Sequence, residues 1–380
     1  PIGNFGGALA ASSAAELGGL AARAAIARAG LPPEAIEEVI AGHARQAGNG
    51  PNIARQVVRR AGLADEVPAH TINKACASGL QAIVSAAQAV RLGDREVVLA
   101  CGTEHMSSIP FLAPDVRWGR KLGDEPLVDA MYRDGYLCPL CQQVMGETSE
   151  TLAVEYAISR DEQDRYALES HRRATRAWDE GRFAREVVPV TVGEGRRAVT
   201  VERDEHHRPD ASLEEMAKLR PVFRRDGSVT AGNASAITDG AAAVVVLSET
   251  AARARGVTPM AAVLGYTSVA VDPARMGIAP VPAVRTLLAR LGMELGQMDV
   301  VELNEAFASQ VLACDRELHF DRGRLNVNGG GVALGHPTGC SGTRIVVTLL
   351  HELERVRGRL GLATLCVSGG QGMALVVERA

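Results

Sequence analysis

Apolar and polar positions fall into blocks whose spacing predicts alternating helices and strands. Glu16 to Gly30 is Ala-rich and reads as a helix, stopped at Gly30 and kept from resuming by Pro32 and Pro33. Glu38 to Ala41 is a short strand-like run that leads into the glycine-punctuated loop Gly42 to Gly50. Val67 to Asn73 reads as a strand, Ser78 to Leu92 as a helix ended by Gly93, and Glu96 to Cys101 as a buried-type strand. Strand, helix and strand at this spacing predict a parallel crossover unit.

The second half repeats the first. Ala25 to Gly30 resembles Leu287 to Gly292, Ala35 to Val39 resembles Asp299 to Leu303, and Cys76-Ala-Ser-Gly79 resembles Cys340-Ser-Gly342, at shifts of 262 to 264 positions. Each of the last two segments opens a helix, followed by a strand that ends at another cysteine, Cys101 or Cys366. The expected fold is α/β, with two repeated halves of mixed, mostly parallel sheets layered with helices.

Between the copies, about Met106 to Thr230 is loop-rich, with Pro110, Pro114, Pro126 and Pro139. Ser159-Arg160-Asp161-Glu162 has the form of a capping box opening a helix to about Gly181, because the Ser and Glu side chains can satisfy the exposed N–H groups. The expected division is 1–105 with 231–250, an inserted 106–230 over the sheet's working edge, and 251–380. Ala241 to Leu247 reads as a strand entered through the small-residue turn Thr230 to Gly240.

Composition narrows the classes. The net charge of −4 has no long run of one sign behind it, and aromatic residues make up 3%, which speaks against a nucleic-acid groove or a base-stacking platform. The longest apolar stretches are far short of the roughly 20 residues a membrane helix needs. Seven scattered cysteines make a poor disulfide framework and suit a reducing compartment such as the cytoplasm. The chain opens at Pro1 without Met, which leaves open a preceding targeting segment.

Cys76 lies where a strand hands over to a helix, and a thiolate there would sit at the positive helix end. Position alone does not make it a nucleophile, since free cysteine is usually buried as a small hydrophobe. Three later segments add polar groups at strand ends: Asn304 in Asn304-Glu-Ala-Phe-Ala308, His336 in the loop Asn328 to Gly339, and Cys366 in Cys366-Val-Ser-Gly-Gly-Gln-Gly372. Together they supply a nucleophile, bases and oxyanion donors, a set suited to acyl transfer with carbon–carbon chemistry. Cys138-Pro-Leu-Cys141 has C-x-x-C spacing but no further ligands, so no metal site is expected and these are ordinary loop cysteines.

With N-E-A-F-A, G-H-P-T-G and C-x-S-G-G-x-G in this order, essentially the whole chain resembles the thiolases, the acetyl-CoA acetyltransferase and 3-ketoacyl-CoA thiolase group. The resemblance implies that Cys76 accepts the acyl group, that His336 takes its proton, and that Cys366 acts on the α-proton of a second acetyl-CoA. Asn304, through a water, would help His336 stabilise the enolate oxygen. The N–H groups of Cys76 and Ser368 would face the acyl-enzyme oxyanion; the family more often has Gly at the latter place. For coenzyme A, it points to Ala231 and Ser235 along the pantetheine arm, to Arg208 near the nucleotide, and to Met145, Phe223, Met276 and Phe307 as apolar tunnel contacts, with the insertion covering the site. No permanently bound cofactor is implied, acyl-CoA thioesters are the substrates, and a homodimer or homotetramer is expected.

Val144 stands where short-chain thiolases often have His, which leaves room for longer acyl groups and keeps a broad-chain thiolase of β-oxidation as an alternative. Related condensing enzymes share the nucleophilic cysteine but lack the combination of Cys366 with N-E-A-F-A. A non-catalytic acyl-CoA-binding or lipid-binding relative would be expected to have lost one of the four chemical positions, and all four are present.

Overall fold

The computed structural model describes residues 1–193, 195 and 198–380. Two sheets carry the chain. The first contains β1 (Gly3–Asn4), β2 (Glu38–Gly42), β3 (Ala69–Ile72), β4 (Val97–His105) and β5 (Thr238–Leu247), in the spatial order β1-β5-β4-β2-β3. The second contains β6 (Ala261–Ala270), β7 (Val300–Leu303), β8 (Leu360–Val367) and β9 (Gln371–Arg379), in the order β6-β9-β8-β7. Strand for strand the second order copies the first. The place of β3 is marked in the second copy by Leu325, which bridges Val301 in parallel.

The longer helices are α1 (Ala14–Arg28), α2 (Ile53–Ala61), α3 (Ser78–Leu92), α4 (Met145–Glu155), α5 (Arg160–Asp179), α6 (Pro280–Leu291), α7 (Ala308–Leu318) and α8 (Thr338–Val356). Helices α3 and α8, equivalent in the two copies, lie side by side between the sheets. Leu80 and Ile83 of one pack with Ile345 and Leu349 of the other, against Ile40, Val98, Leu365 and Leu375 of the strands. Helices α1 and α2 cover the outer face of the first sheet, and α6 and α7 that of the second. The layers therefore run helix, sheet, helix, sheet, helix.

Most element boundaries follow from local chemistry. Helix α3 spans the predicted residues and ends at Gly93, whose φ of 77° suits a left-handed cap. Helix α1 starts earlier than its apolar run predicts, because Ser13 and Glu16 form a capping box ahead of it. Ser159 and Glu162 do the same for α5. Strand β4 runs on past Cys101 to His105, since its polar end residues are also buried.

One expectation needs correction. The sheets are mixed, but among the described residues their ladders are not mostly parallel: β2–β3, β2–β4 and β7–β8 are parallel, while β1–β5, β5–β4, β6–β9 and β8–β9 are antiparallel. The cause is local. The three residues Ser368 to Gly370 join β8 to β9 as a hairpin, and a connection that short can only return antiparallel. Gly369 and Gly370, with φ of 85° and 80°, make that turn.

Between β4 and β5 the chain forms strand pairs of two or three residues, α4 and α5. These helices dock on α7, so this segment is anchored to the second copy. Among the described residues no helix is long and apolar enough to cross a membrane.

Candidate active site

Cys76 stands one turn ahead of α3 on a bent segment. Ala75 has φ of 44°, a left-handed value that costs a residue with a Cβ. The bend is held by side chains: Asn73 Oδ1 accepts from the Ala75 N–H at 3.0 Å, and Ser78 Oγ accepts from the Lys74 N–H at 2.8 Å and donates to the Ala75 carbonyl at 2.7 Å. The Cys76 sulfur faces its own N–H and that of Ser368, from the β8–β9 turn of the other copy. Burial pushes the Cys76 thiol up, and the Arg45 charge and the two N–H groups oppose this without overcoming it. The helix start favours the thiolate, but desolvation costs the anion more than nearby donors return, in keeping with the expectation that a base must take the proton. Cys76 rests as a thiol and needs a base.

His336 is the residue expected to act as one. Its Nδ1 lies 2.5 Å from Ser341 Oγ in the first turn of α8, and that hydroxyl donates its single hydrogen to the Pro337 carbonyl at 3.0 Å. Ser341 must therefore accept from Nδ1–H, which leaves the lone pair on Nε2. Burial, then the Arg45 charge, holds His336 down to about 3, so the ring is neutral at ordinary pH. Asn304 Nδ2 approaches Nε2 at 3.4 Å, and Asn304 Oδ1 is buried without a partner among the described residues.

The loop that carries His336 is held by Glu104, a residue without a role in the sequence expectations. Its carboxylate accepts from Thr338 Oγ1 and the Gly339 N–H at 2.7 Å each, from the Ala44 and Arg45 N–H groups, and from His43 Nδ1 at 2.9 Å. Burial alone would raise Glu104, but His43, Arg45 and Thr338 bring it down to about 2. Burial opposes charge on His43, and Glu104 outweighs it, raising that pKa.

Cys366 ends β8 and is 1% exposed. Burial pushes its thiol well up, with the charge of Cys76 adding to the effect. Cys366 packs in one apolar cluster with Met145, Met276 and Phe307, joined at the edge by Phe223 and Tyr136. The Phe223 and Phe307 rings meet edge to face at 6.0 Å. All four apolar residues expected along a tunnel therefore share a wall with Cys366. Ser235 borders it, its N–H donating to the Ala306 carbonyl at 3.0 Å. Ala231 and Arg208 lie exposed and form no hydrogen bond to that cluster. The Arg208 main chain is tied to His171 Nδ1 at 3.2 Å. Val144 is half-buried at the start of α4.

Beside Asn304, Glu305 is a buried clamp. Its carboxylate accepts from Tyr166 and Ser170 of α5, from Asn326 and from the Val332 N–H, fixing the insertion and two loops to the end of β7. All seven cysteines are free thiols, including Cys138 and Cys141. Cys340, the repeat counterpart of Cys76, is buried inside α8. Among the described residues no cluster of His, Cys, Asp and Glu is arranged to hold a metal. A cavity of about 800 Å³ lies between α1, α3, α8 and β5 and is lined by none of Cys76, Asn304, His336 and Cys366.

Comparison with known proteins identifies the family. Residues 1–250 match the thiolase N-terminal domain and residues 257–379 the thiolase C-terminal domain. A probable acetyl-CoA acetyltransferase of Escherichia coli K12 is 50% identical over 379 residues, covering 100% of this chain and 96% of the relative. The acetyl-CoA acetyltransferase of Pseudomonas aeruginosa is 47% identical with the same coverage. Among solved structures, the Bacillus anthracis acetyl-CoA acetyltransferase superposes with a TM-score of 0.97 at 45% identity, covering 100% of this chain and 96% of that one. Human mitochondrial 3-ketoacyl-CoA thiolase in complex with CoA gives 0.97 at 43% identity, covering 100% and 95%. Matched by both domains across nearly its whole length, the chain belongs to the thiolase family of acyltransferases.

Proposed function

We propose that this protein is an acetyl-CoA C-acetyltransferase, catalysing reversible Claisen condensation of two acyl-CoA molecules and thiolysis of 3-ketoacyl-CoA through an acyl-Cys76 intermediate. His336 Nε2 takes the Cys76 proton, and the thiolate attacks the thioester carbonyl. The N–H groups of Cys76 and Ser368 receive the tetrahedral oxyanion. The bond to the coenzyme A sulfur breaks, and Cys366 gives its proton to that departing sulfur. The Cys366 thiolate, a strong base because its thiol is pushed up, then removes the α-proton of the second acetyl-CoA. The enolate oxygen faces protonated His336 and, through a water, Asn304. Its carbon attacks the acyl group, and Cys76 is expelled and recovers its proton from His336. Every proton is returned, and 3-ketoacyl-CoA and free coenzyme A leave.

One observation carries this assignment: the N–H of Ser368, two residues past Cys366, faces the Cys76 sulfur. The wall of Met145, Phe223, Met276 and Phe307 suits the mostly neutral pantetheine arm, with Ser235 and Ala231 along it and Arg208 toward the nucleotide. We assign the cover to 106–230 and the two halves to 1–105 with 231–250 and to 251–380. By resemblance the enzyme is a homodimer or homotetramer, and its free cysteines suit the cytoplasm. Half-buried Val144 favours a second possibility, a broad-chain thiolase of β-oxidation.

Radiolabelled acetyl-CoA tests the chemistry. C76A is expected to take up no label, and C366A to acylate slowly but lose α-proton exchange. C76A labelled at the native rate would overturn the nucleophile. Thiolysis across a 3-ketoacyl-CoA chain-length series separates the two specificities: a steep preference for acetoacetyl-CoA rules out the broad-chain enzyme.

A further inference from the structure

No step above uses Arg45. It lies three residues past β2 in the glycine-punctuated loop and is only 6% exposed. Its main chain ties it to both halves of the site. The Arg45 N–H donates to Glu104, whose other oxygen holds the His336 loop through Thr338 and Gly339. The neighbouring Ala44 carbonyl accepts from Asn73 Nδ2 at 3.1 Å, three residues before Cys76.

The side chain reaches the cover instead. Arg45 Nη2 donates to the Gly135 carbonyl at 3.1 Å, and the guanidinium lies over the Tyr136 ring, 5.4 Å from its centroid. Gly135 has no room for a side chain, since a Cβ there would sit 2.6 Å from Arg45 Nε. Tyr136 in turn packs against the cluster that contains Cys366 and Met145. No carboxylate forms an ion pair with the guanidinium among the described residues, and Nε is buried without a partner. A desolvated cation in that state gains most from an anion that forms beside it.

The groups whose charges act on the Cys76 sulfur or feel its own are few. Arg45 opposes burial and favours the thiolate while disfavouring protonated His336, Glu104 works in the opposite sense on both, and Cys366 and Tyr136 each feel the sulfur's charge. His336 is the proton acceptor.

We propose that Arg45 is a positioning residue of the thiolase site: its guanidinium pins the Gly135–Tyr136 part of the cover over Cys76 and supplies the cation that faces the sulfur as its proton passes to His336. This role rests on Cys76 being the nucleophile.

The test is the rate of Cys76 alkylation by iodoacetamide against pH, read on the Cys76 peptide by mass spectrometry, beside kcat and KM for thiolysis. In R45Q the alkylation midpoint is expected to rise by about 1 pH unit. Its kcat is expected to fall about 10-fold with KM nearly unchanged. R45K restores the midpoint but only part of kcat, because a single ammonium cannot both bond Gly135 and stack on Tyr136. If Gln at this position prevents folding, R45M, which keeps the apolar stem, is read in the same way. A merely structural Arg45 would give less stable variants whose alkylation profiles overlay the wild type, and that result overturns the role. C76A keeps the two hypotheses apart: thiolysis surviving in C76A removes Cys76 as nucleophile, whatever Arg45 does to its alkylation.

Discussion

Ser341 decides which nitrogen of His336 is free. With its hydrogen committed to the Pro337 carbonyl, the hydroxyl can only accept from Nδ1–H, so the lone pair is on the nitrogen beside Asn304. S341A removes that constraint and is expected to slow acylation of Cys76 by about 10-fold, part of the 10²–10⁴ a general base contributes. Single-turnover mass spectrometry checks it, and an unchanged acylation rate would show that the tautomer is set elsewhere. Cys76, His336, Asn304 and Cys366 could be singled out in the sequence as candidates because each sits in a distinctive motif. Arg45, Glu104 and Ser341 could not. An arginine in a glycine-punctuated loop reads as solvated, and Glu104 is joined to Thr338 across 234 positions, a contact no local pattern reports. How strongly Cys76 holds its proton was also not legible, because helix position is local, whereas burial is created by the rest of the fold.

At the scale of elements, the crossing of α3 and α8 depends on glycines. Gly342 approaches α3 so closely that a Cβ would lie 2.3 Å from the Leu80 nitrogen, and Gly79 has the reciprocal place against Thr343. G342A is expected to destabilise the protein by about 3 kcal/mol, since backbone atoms cannot yield as a flexible side chain would. G296A, at a glycine with nothing within 4 Å, serves as the control and should stay within about 0.5 kcal/mol in urea unfolding. The repeat, visible in the sequence as three short matches, extends in the structure to strand order and to this helix pair. Parallel pairing was overestimated because the repeat identified which strands correspond but not how each copy closes, which a three-residue turn decides for β8 and β9.

For the whole molecule, buried titratable groups set the dependence of stability on pH. His171 and His206 are held to about 4 and His336 to about 3, each mainly by burial. Below 6.5 the unfolded chain protonates these rings first, so stability falls as pH drops from there toward 4. Glu186 and Glu302, raised to about 8 by burial, act with the opposite sign, as does His43 with its raised pKa. Their contribution is complete below the unfolded value and lost as pH rises through the folded one. The urea midpoint is therefore expected to peak near pH 6.5 and to decline on both sides. A midpoint still climbing from pH 6.5 to 8 would contradict the burial of the two carboxylates.

The proposed nucleophile comes from one copy of the repeat, while His336, Asn304 and Cys366 all come from the other. Neither copy holds a working site alone, and the groups converge only when α3 and α8 have met in register. During folding, catalytic activity is thus a late event that reports docking of the halves, whereas helix content reports each half separately. A chain stalled with one half formed is, on this reading, chemically silent.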